Sequence, residues 1–229
     1  MNKCPFNHRE AAPKLRPELP PLTERLKKLP LDERGYPVPF FVSWIDGKPE
    51  FRAADGRKYR RCVQDKLCWV CGEPLGAHLA FAIGPMCVTN RTTAEPPAHL
   101  DCAQWSVKGC PFLARPQMVR RRGDEAYESN DQIREAAGIS LDHNPGVTCI
   151  WVTKSYKFFP DGDGRPLIQI GDPVAAPTWW REGRPATRAE VLAAMDKGLP
   201  KLREQCDHPE AHRLLTQMST EALQYLPHE

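Results

Sequence analysis

Two short stretches constrain this chain most: Cys68-Trp69-Val70-Cys71-Gly72, and His99-Leu100-Asp101-Cys102 further on. A C-x-x-C-G pair followed by an H-x-x-C pair supplies three thiolates and one imidazole. That is the donor set and number that a tetrahedral zinc ion takes in a structural site. Gly72 after the second cysteine permits the tight turn whose backbone N–H groups can point at sulfur. Zinc held by Cys68, Cys71, His99 and Cys102 is therefore the first expectation. Cys102 has two rivals for its place, Cys87 and Cys110, and an iron–sulfur cluster on Cys68, Cys71, Cys102 and Cys110 is the alternative metal group.

The surrounding chain favours metal over disulfide chemistry. Residues 1–35 hold no apolar run of about 7 to 15 residues, as a secretory leader would need. No stretch approaches the roughly 20 apolar residues of a membrane span. A reducing, cytoplasmic setting is expected, and there the nine cysteines read as ligands or buried thiols.

Read in order, the chain suggests a single α+β protein in three parts. Residues 1–35 are a proline-rich arm that breaks any long helix, leaving only Leu22 to Leu29 for a short one. Within it Cys4 and His8 form a C-x3-H pair without an evident partner. Residues 36–122 are the basic metal-binding region. It opens on a hairpin turning at Asp46-Gly47, followed by a turn at Ala53 to Gly56. A short helix from Arg57 to Leu67 then turns Tyr59, Cys62, Val63 and Leu67 inward. Leu79 to Gly84 reads as a buried strand that Pro85 to Val88 continues past a bend, and Asn90 to Glu95 reads as a loop. A helix starting near Pro97 carries His99 through Val107 and stops near Gly109.

Residues 123–229 are the acidic α+β region. Asp131 to Ala137 is expected as helix, with Ser129 or Asn130 as cap and Gly138 as stop. Val147 to Thr153 and Pro166 to Ile170 read as a second hairpin turning at Asp161 to Gly164. A capping box at Thr187-x-x-Glu190 starts a helix with Val191, Leu192, Met195 and Leu199 on one stripe. A last helix near Pro209 to Tyr225 is expected to pair with it antiparallel.

A C-x-x-C-G knuckle, a hairpin formed by a short strand pair between Cys71 and His99, and a helix whose first turn brings the last two ligands make the plan of the treble-clef zinc finger. Residues 62–110 resemble that family in layout. The wider pattern, from Trp69 through Gly84-Pro85-Met86 to Pro111-Phe112-Leu113, is similar to uncharacterised zinc proteins of bacteria and their viruses. Treble-clef scaffolds include HNH endonucleases, and His78 and Asn90 precede His99 in the order that resemblance would use. Against it, His99 is better spent as a zinc ligand, and Ala77-His78 stands where the HNH family has a paired Asp-His or His-His.

Charge divides unevenly. Residues 1–122 hold 21 Lys and Arg against 12 Asp and Glu, a net of +9, and residues 123–229 hold 11 against 17, a net of −6. Basic residues around the expected zinc, namely Arg57, Lys58, Arg60, Arg61, Arg120, Arg121 and Arg122, suit phosphate or an acidic protein surface. No phosphate-binding glycine loop, nucleophile elbow, H-E-x-x-H or deaminase signature occurs. Cys206-Asp207-His208 with His212 is a weaker metal candidate. The sequence thus points to a non-catalytic zinc-stabilised binding or regulatory protein, with an HNH-like nuclease as the alternative.

Overall fold

The structure is a computed structural model describing residues 14–115, 133–134, 137–138 and 144–228. It is a mixed α+β fold whose described strands form three antiparallel sheets. The elements run β1 (Val42–Ile45), β2 (Lys48–Asp55), α1 (Gly56–Gln64), β3 (Leu79–Ile83), α2 (Pro85–Asn90), β4 (Thr92–Thr93), α3 (Leu100–Gly109), α4 (Pro111–Ala114), β5 (Ile133–Arg134), β6 (Thr148–Thr153), β7 (Tyr156–Pro160), β8 (Pro166–Ile170), β9 (Thr178–Arg181), β10 (Arg184–Pro185), α5 (Arg188–Arg203) and α6 (Pro209–Ala222).

The first hairpin forms as expected. Asp46 and Gly47 both adopt positive φ, 49° and 76°, the two-residue turn that matches strand twist. The second strand runs past the expected turn at Ala53 to Gly56. Asp55 ends it and caps α1, accepting from the backbone N–H groups of Arg57 and Lys58. Such caps are worth about 1 kcal/mol.

The central sheet has the order β10-β9-β6-β3. Alternation along its strands divides two packing layers. Phe81, Ile83, Cys149 and Trp151 face the main core with Val88, Ile168, Ile170, Trp179, Val191 and Met195. Ala80 and Ile150 belong to a second cluster with Ala103 and Val107 of α3. Small residues at 80 and 103 let α3, which brings the second ligand pair, lie close on the sheet.

Several expectations are corrected. Among the described strands no hairpin forms between Cys71 and His99, because β3 pairs with β6 and β4 with β8, and Asn90 to Glu95, expected as a loop, holds the end of α2 and β4. Pro85 to Val88 is helix α2, not a bent strand: Pro85 occupies the first turn of a helix and Arg91 closes it in the left-handed conformation. A proline after Gly84 thus starts a helix, and both α5 and α6 pack against it. Ile133–Arg134 is a strand on the edge of β2, which removes these two residues from the expected helix; Gly138 takes positive φ. The hairpin closed by Asp161 to Gly164 pairs β8 with β7, not with β6. The strand at Tyr156 to Pro160 escaped notice because four of its five residues are exposed. β6 belongs to the central sheet instead. The Thr187–Glu190 capping box is present. Among the described residues no helix is long and apolar enough to cross a membrane.

Candidate metal centre

Residues 66–75 fold back on themselves to present the first ligand pair. Leu75 N–H donates to Lys66 O, Cys68 N–H to Glu73 O and Gly72 N–H to Cys68 O, at 2.8 Å each. The turn that results needs φ +76° at Gly72, where an added Cβ would stand 2.6 Å from the Phe40 ring. Trp69 anchors the turn from behind. Its ring stacks on Phe41 at 4.8 Å, and Tyr59 of α1 meets it edge-on at 5.9 Å. Gly72→Ala is therefore expected to destabilise the protein by about 2 kcal/mol, combining left-handed strain with the clash. Gly76→Ala, with open space around it, should change stability by less than about 0.5 kcal/mol. Chemical denaturation of the two variants checks the pair.

The second pair is fixed by the central sheet. Ala98 and Ala80 exchange backbone hydrogen bonds of 2.7 and 2.9 Å, and Trp69 N–H donates to Pro97 O. His99 is then the N-cap of α3, and Cys102 lies in its first turn. A helix start favours anionic sulfur.

Cys68, Cys71, His99 and Cys102 come together, with their ligand atoms all within 4.8 Å of one another. Cys71 Sγ lies 3.4 Å and Cys102 Sγ 4.0 Å from His99 Nδ1. A tetrahedral ion with sulfur at about 2.3 Å and nitrogen at about 2.0–2.1 Å sets its sulfur and nitrogen donors roughly 3.6 Å apart. The two observed separations straddle that value. His99 Nε2 lies 3.0 Å from Pro74 O. A carbonyl only accepts, so Nε2 carries the proton and Nδ1 keeps its lone pair for a metal.

The sulfurs are electrostatically prepared. Cys68 is held well below the usual thiol range by hydrogen bonds from the Cys102 and Cys71 thiols, and by the backbone N–H groups of Cys71 and His99, against its burial. Both N–H···S contacts are 3.4 Å. Cys102 is pushed up because it donates to Cys68 and then to Cys71. Three thiols this close share protons around one anion, and a cation in their midst replaces those protons. Cys68 and Cys102 are wholly buried.

The two rivals of Cys102 lie elsewhere. Cys110 is eight residues further along α3, about 12 Å by helical rise. Cys87 packs against the main core on α2. The iron–sulfur alternative thus lacks its fourth thiolate, since His99 takes that place. His78 is exposed. Asn90 Oδ1 accepts the N–H of Thr92, closing the end of α2. Neither belongs to a second metal-ligating group among the described residues. His208 caps α6 by accepting from Ala211 N–H, and Cys206 donates to Leu202 O.

Arg57, Lys58, Arg60 and Arg61 all lie on α1, which has no acidic residue of its own. Lys58 Nζ donates to Val42 O and sits over Phe40 with Arg61. Arg57, Arg60 and Arg61 are exposed, though Arg57 faces Asp55 and Arg61 faces Asp65. Arg120, Arg121 and Arg122 lie outside the described residues, as do Cys4 and His8.

Sequence reasoning missed the cover of the site. The described part of the segment expected as a proline-rich arm lies across it. Leu26 is fully buried with Cys68, Cys102 and Trp105, beside Leu19, Leu22 and Leu29. Trp105 Nε1–H donates to Pro20 O at 3.1 Å, and Arg25 bridges Asp101 and Glu73. The leucine spacing in residues 19–29 was the available signal. In comparison with known proteins, no family model matches the chain, no curated protein is significantly similar to it, and no solved structure matches it.

Proposed function

We propose that Cys68, Cys71, His99 and Cys102 hold a structural zinc ion in a treble-clef-like frame. On this reading the protein is a non-catalytic binding or regulatory protein of a reducing compartment. It contacts nucleic acid through the basic residues of its N-terminal half. The observation that carries the first part is the closed donor set. Four protein ligands fill a tetrahedron and leave no position for water or substrate, the mark of a structural rather than a catalytic zinc. When bound, zinc supplies cross-linking of the turn at residues 68–72 to the start of α3. His99, oriented through Pro74 O, and Cys68, served by two N–H groups, supply the pre-organisation.

The nucleic-acid contact is supported by α1, whose four cations stand on a helix braced against the Cys68 turn through Tyr59 and Trp69. Phosphate contacts give affinity that falls with salt, by nearly one unit of log–log slope per contact. Fluorescence anisotropy of labelled duplex DNA and RNA should show binding at low salt with a slope of about −3 to −4. The double variant Arg60→Ala, Arg61→Ala should reduce that slope by about 2. No binding to either polymer at low salt would overturn the nucleic-acid part and leave an acidic protein surface as the partner chemistry.

A further inference from the structure

Strand β7 ends its sheet, whose order is β4-β8-β7 among the described strands. Its residues from Lys157 to Pro160 are all exposed, and Phe158 and Phe159 keep 41% and 39% of their surface in solvent. Phe158 and Phe159 thus stand exposed on an edge strand. Lys157 and Pro160 blunt that edge in part, and they leave the backbone groups of Phe158 between them for pairing.

The hydrogen-bond phase of this edge follows from its hairpin. Gly171 N–H donates to Ser155 O at 2.9 Å, and Asp161 N–H donates to Arg165 O at 2.8 Å. Paired residues alternate along an antiparallel ladder, so 155, 157, 159 and 161 bond inward to β8. Tyr156, Phe158 and Pro160 therefore aim their backbone groups outward. We infer that β7 pairs antiparallel with β7 of a second copy of this chain, about a two-fold axis at Phe158.

Side chains select that register and that partner. With the axis at Phe158, the two Phe158 residues exchange both backbone bonds. Tyr156 N–H donates to Pro160 O of the other copy on either side. The lack of an N–H on Pro160 costs one bond at each end and stops the ladder there. On one face Phe158 meets its own copy, flanked by Tyr156 against Pro160. On the other face Lys157 stands opposite Phe159, an ammonium beside an aromatic ring. Moving the axis to residue 157 would set Lys157 against its own copy, and like charges directly opposite destabilise a pair. With the axis at Phe158 every exposed side chain of the strand faces a complement, which the register about Lys157 does not provide. The contact is small, so the dimer is weak.

Sedimentation equilibrium of the full chain, up to a few hundred micromolar, should show a monomer–dimer equilibrium. Two substitutions of equal polarity then separate this register from general stickiness. Phe159→Lys sets a second ammonium against Lys157 and should weaken the dimer tenfold or more, whereas Phe159→Glu sets a carboxylate there and should hold the dissociation constant within about threefold. The amides of Tyr156 and Phe158 should gain protection from hydrogen exchange as concentration rises. The Phe159 side chain is surface-exposed, so each variant should melt within a few degrees of the wild type. A monomer at every concentration overturns the inference. So does equal loss in the two variants, or dimerisation that leaves those two amides unprotected.

Discussion

Removing one ligand sulfur should cost this protein its N-terminal half. Cys102→Ala deletes a wholly buried donor from the proposed zinc site, and structural zinc contributes on the order of 10 kcal/mol to folding. A typical domain has only about 5–15 kcal/mol of net stability to lose. We expect the wild-type protein to carry one zinc per chain and Cys102→Ala to carry none. Near-ultraviolet circular dichroism from Trp69 and Trp105 should collapse in the variant, and in the wild type after chelation. Cys110→Ala and Cys87→Ala should keep one equivalent. The pH dependence has a defined sign: zinc needs thiolates and a neutral imidazole, so protons compete and acidification releases the ion. Full zinc content in Cys102→Ala, or a chelated protein with unchanged tryptophan signals, would refute the structural role.

The cluster of Cys68, Cys71, His99 and Cys102 was legible because metal chemistry is local. Two C-x-x-C cysteines and an H-x-x-C pair carry their meaning in spacing alone. The Asp46-Gly47 hairpin and the Thr187–Glu190 box were legible for the same reason, since each motif satisfies its own backbone groups within four residues. The elements that were misread depend on distant partners. β7 exposes Lys157 to Pro160 and is a strand because β8 pairs with it. Ile133–Arg134 is drawn onto β2 against a helical expectation. α2 is only six residues long, too short to form alone, and is held by α5 and α6 on one side and Arg91 at its end. The cover over the Cys68, Cys71, His99 and Cys102 cluster was hidden by its prolines. They do prevent a long helix, but Pro20 also fixes the carbonyl that accepts from Trp105.

The second large effect is expected 49 residues beyond the last ligand, at Trp151. This indole is fully buried on β6, opposite Phe81 of β3. Its Nε1–H donates to Gly171 O at 3.0 Å. The Tyr225 ring meets it edge-on at 4.6 Å, and the Arg91 guanidinium lies 4.4 Å over its face. Arg91 in turn donates to Ile170 O and Asp172. One ring thus joins the central sheet, the end of α2, the end of β8 and the C-terminal turn. Trp151→Ala should destabilise the protein by about 3–5 kcal/mol. Trp151→Phe keeps most of the ring and should cost less, about 1–3 kcal/mol, mainly by leaving the Gly171 carbonyl unpaired. Equilibrium denaturation in urea measures both.

β3 makes the same experiment report on the metal site. Its Phe81 lies beside Trp151, and its Ala80 holds Ala98, the residue before His99. Loss of the Trp151 core should therefore loosen the second ligand pair as well. In a thermal scan of Trp151→Ala, release of zinc to a colorimetric chelator should coincide with the far-ultraviolet transition, both shifted down together. Zinc retained well above that transition would mean that the turn at residues 68–72 and α3 hold the ion without the sheet, and that the coupling through Ala80 is too weak to matter.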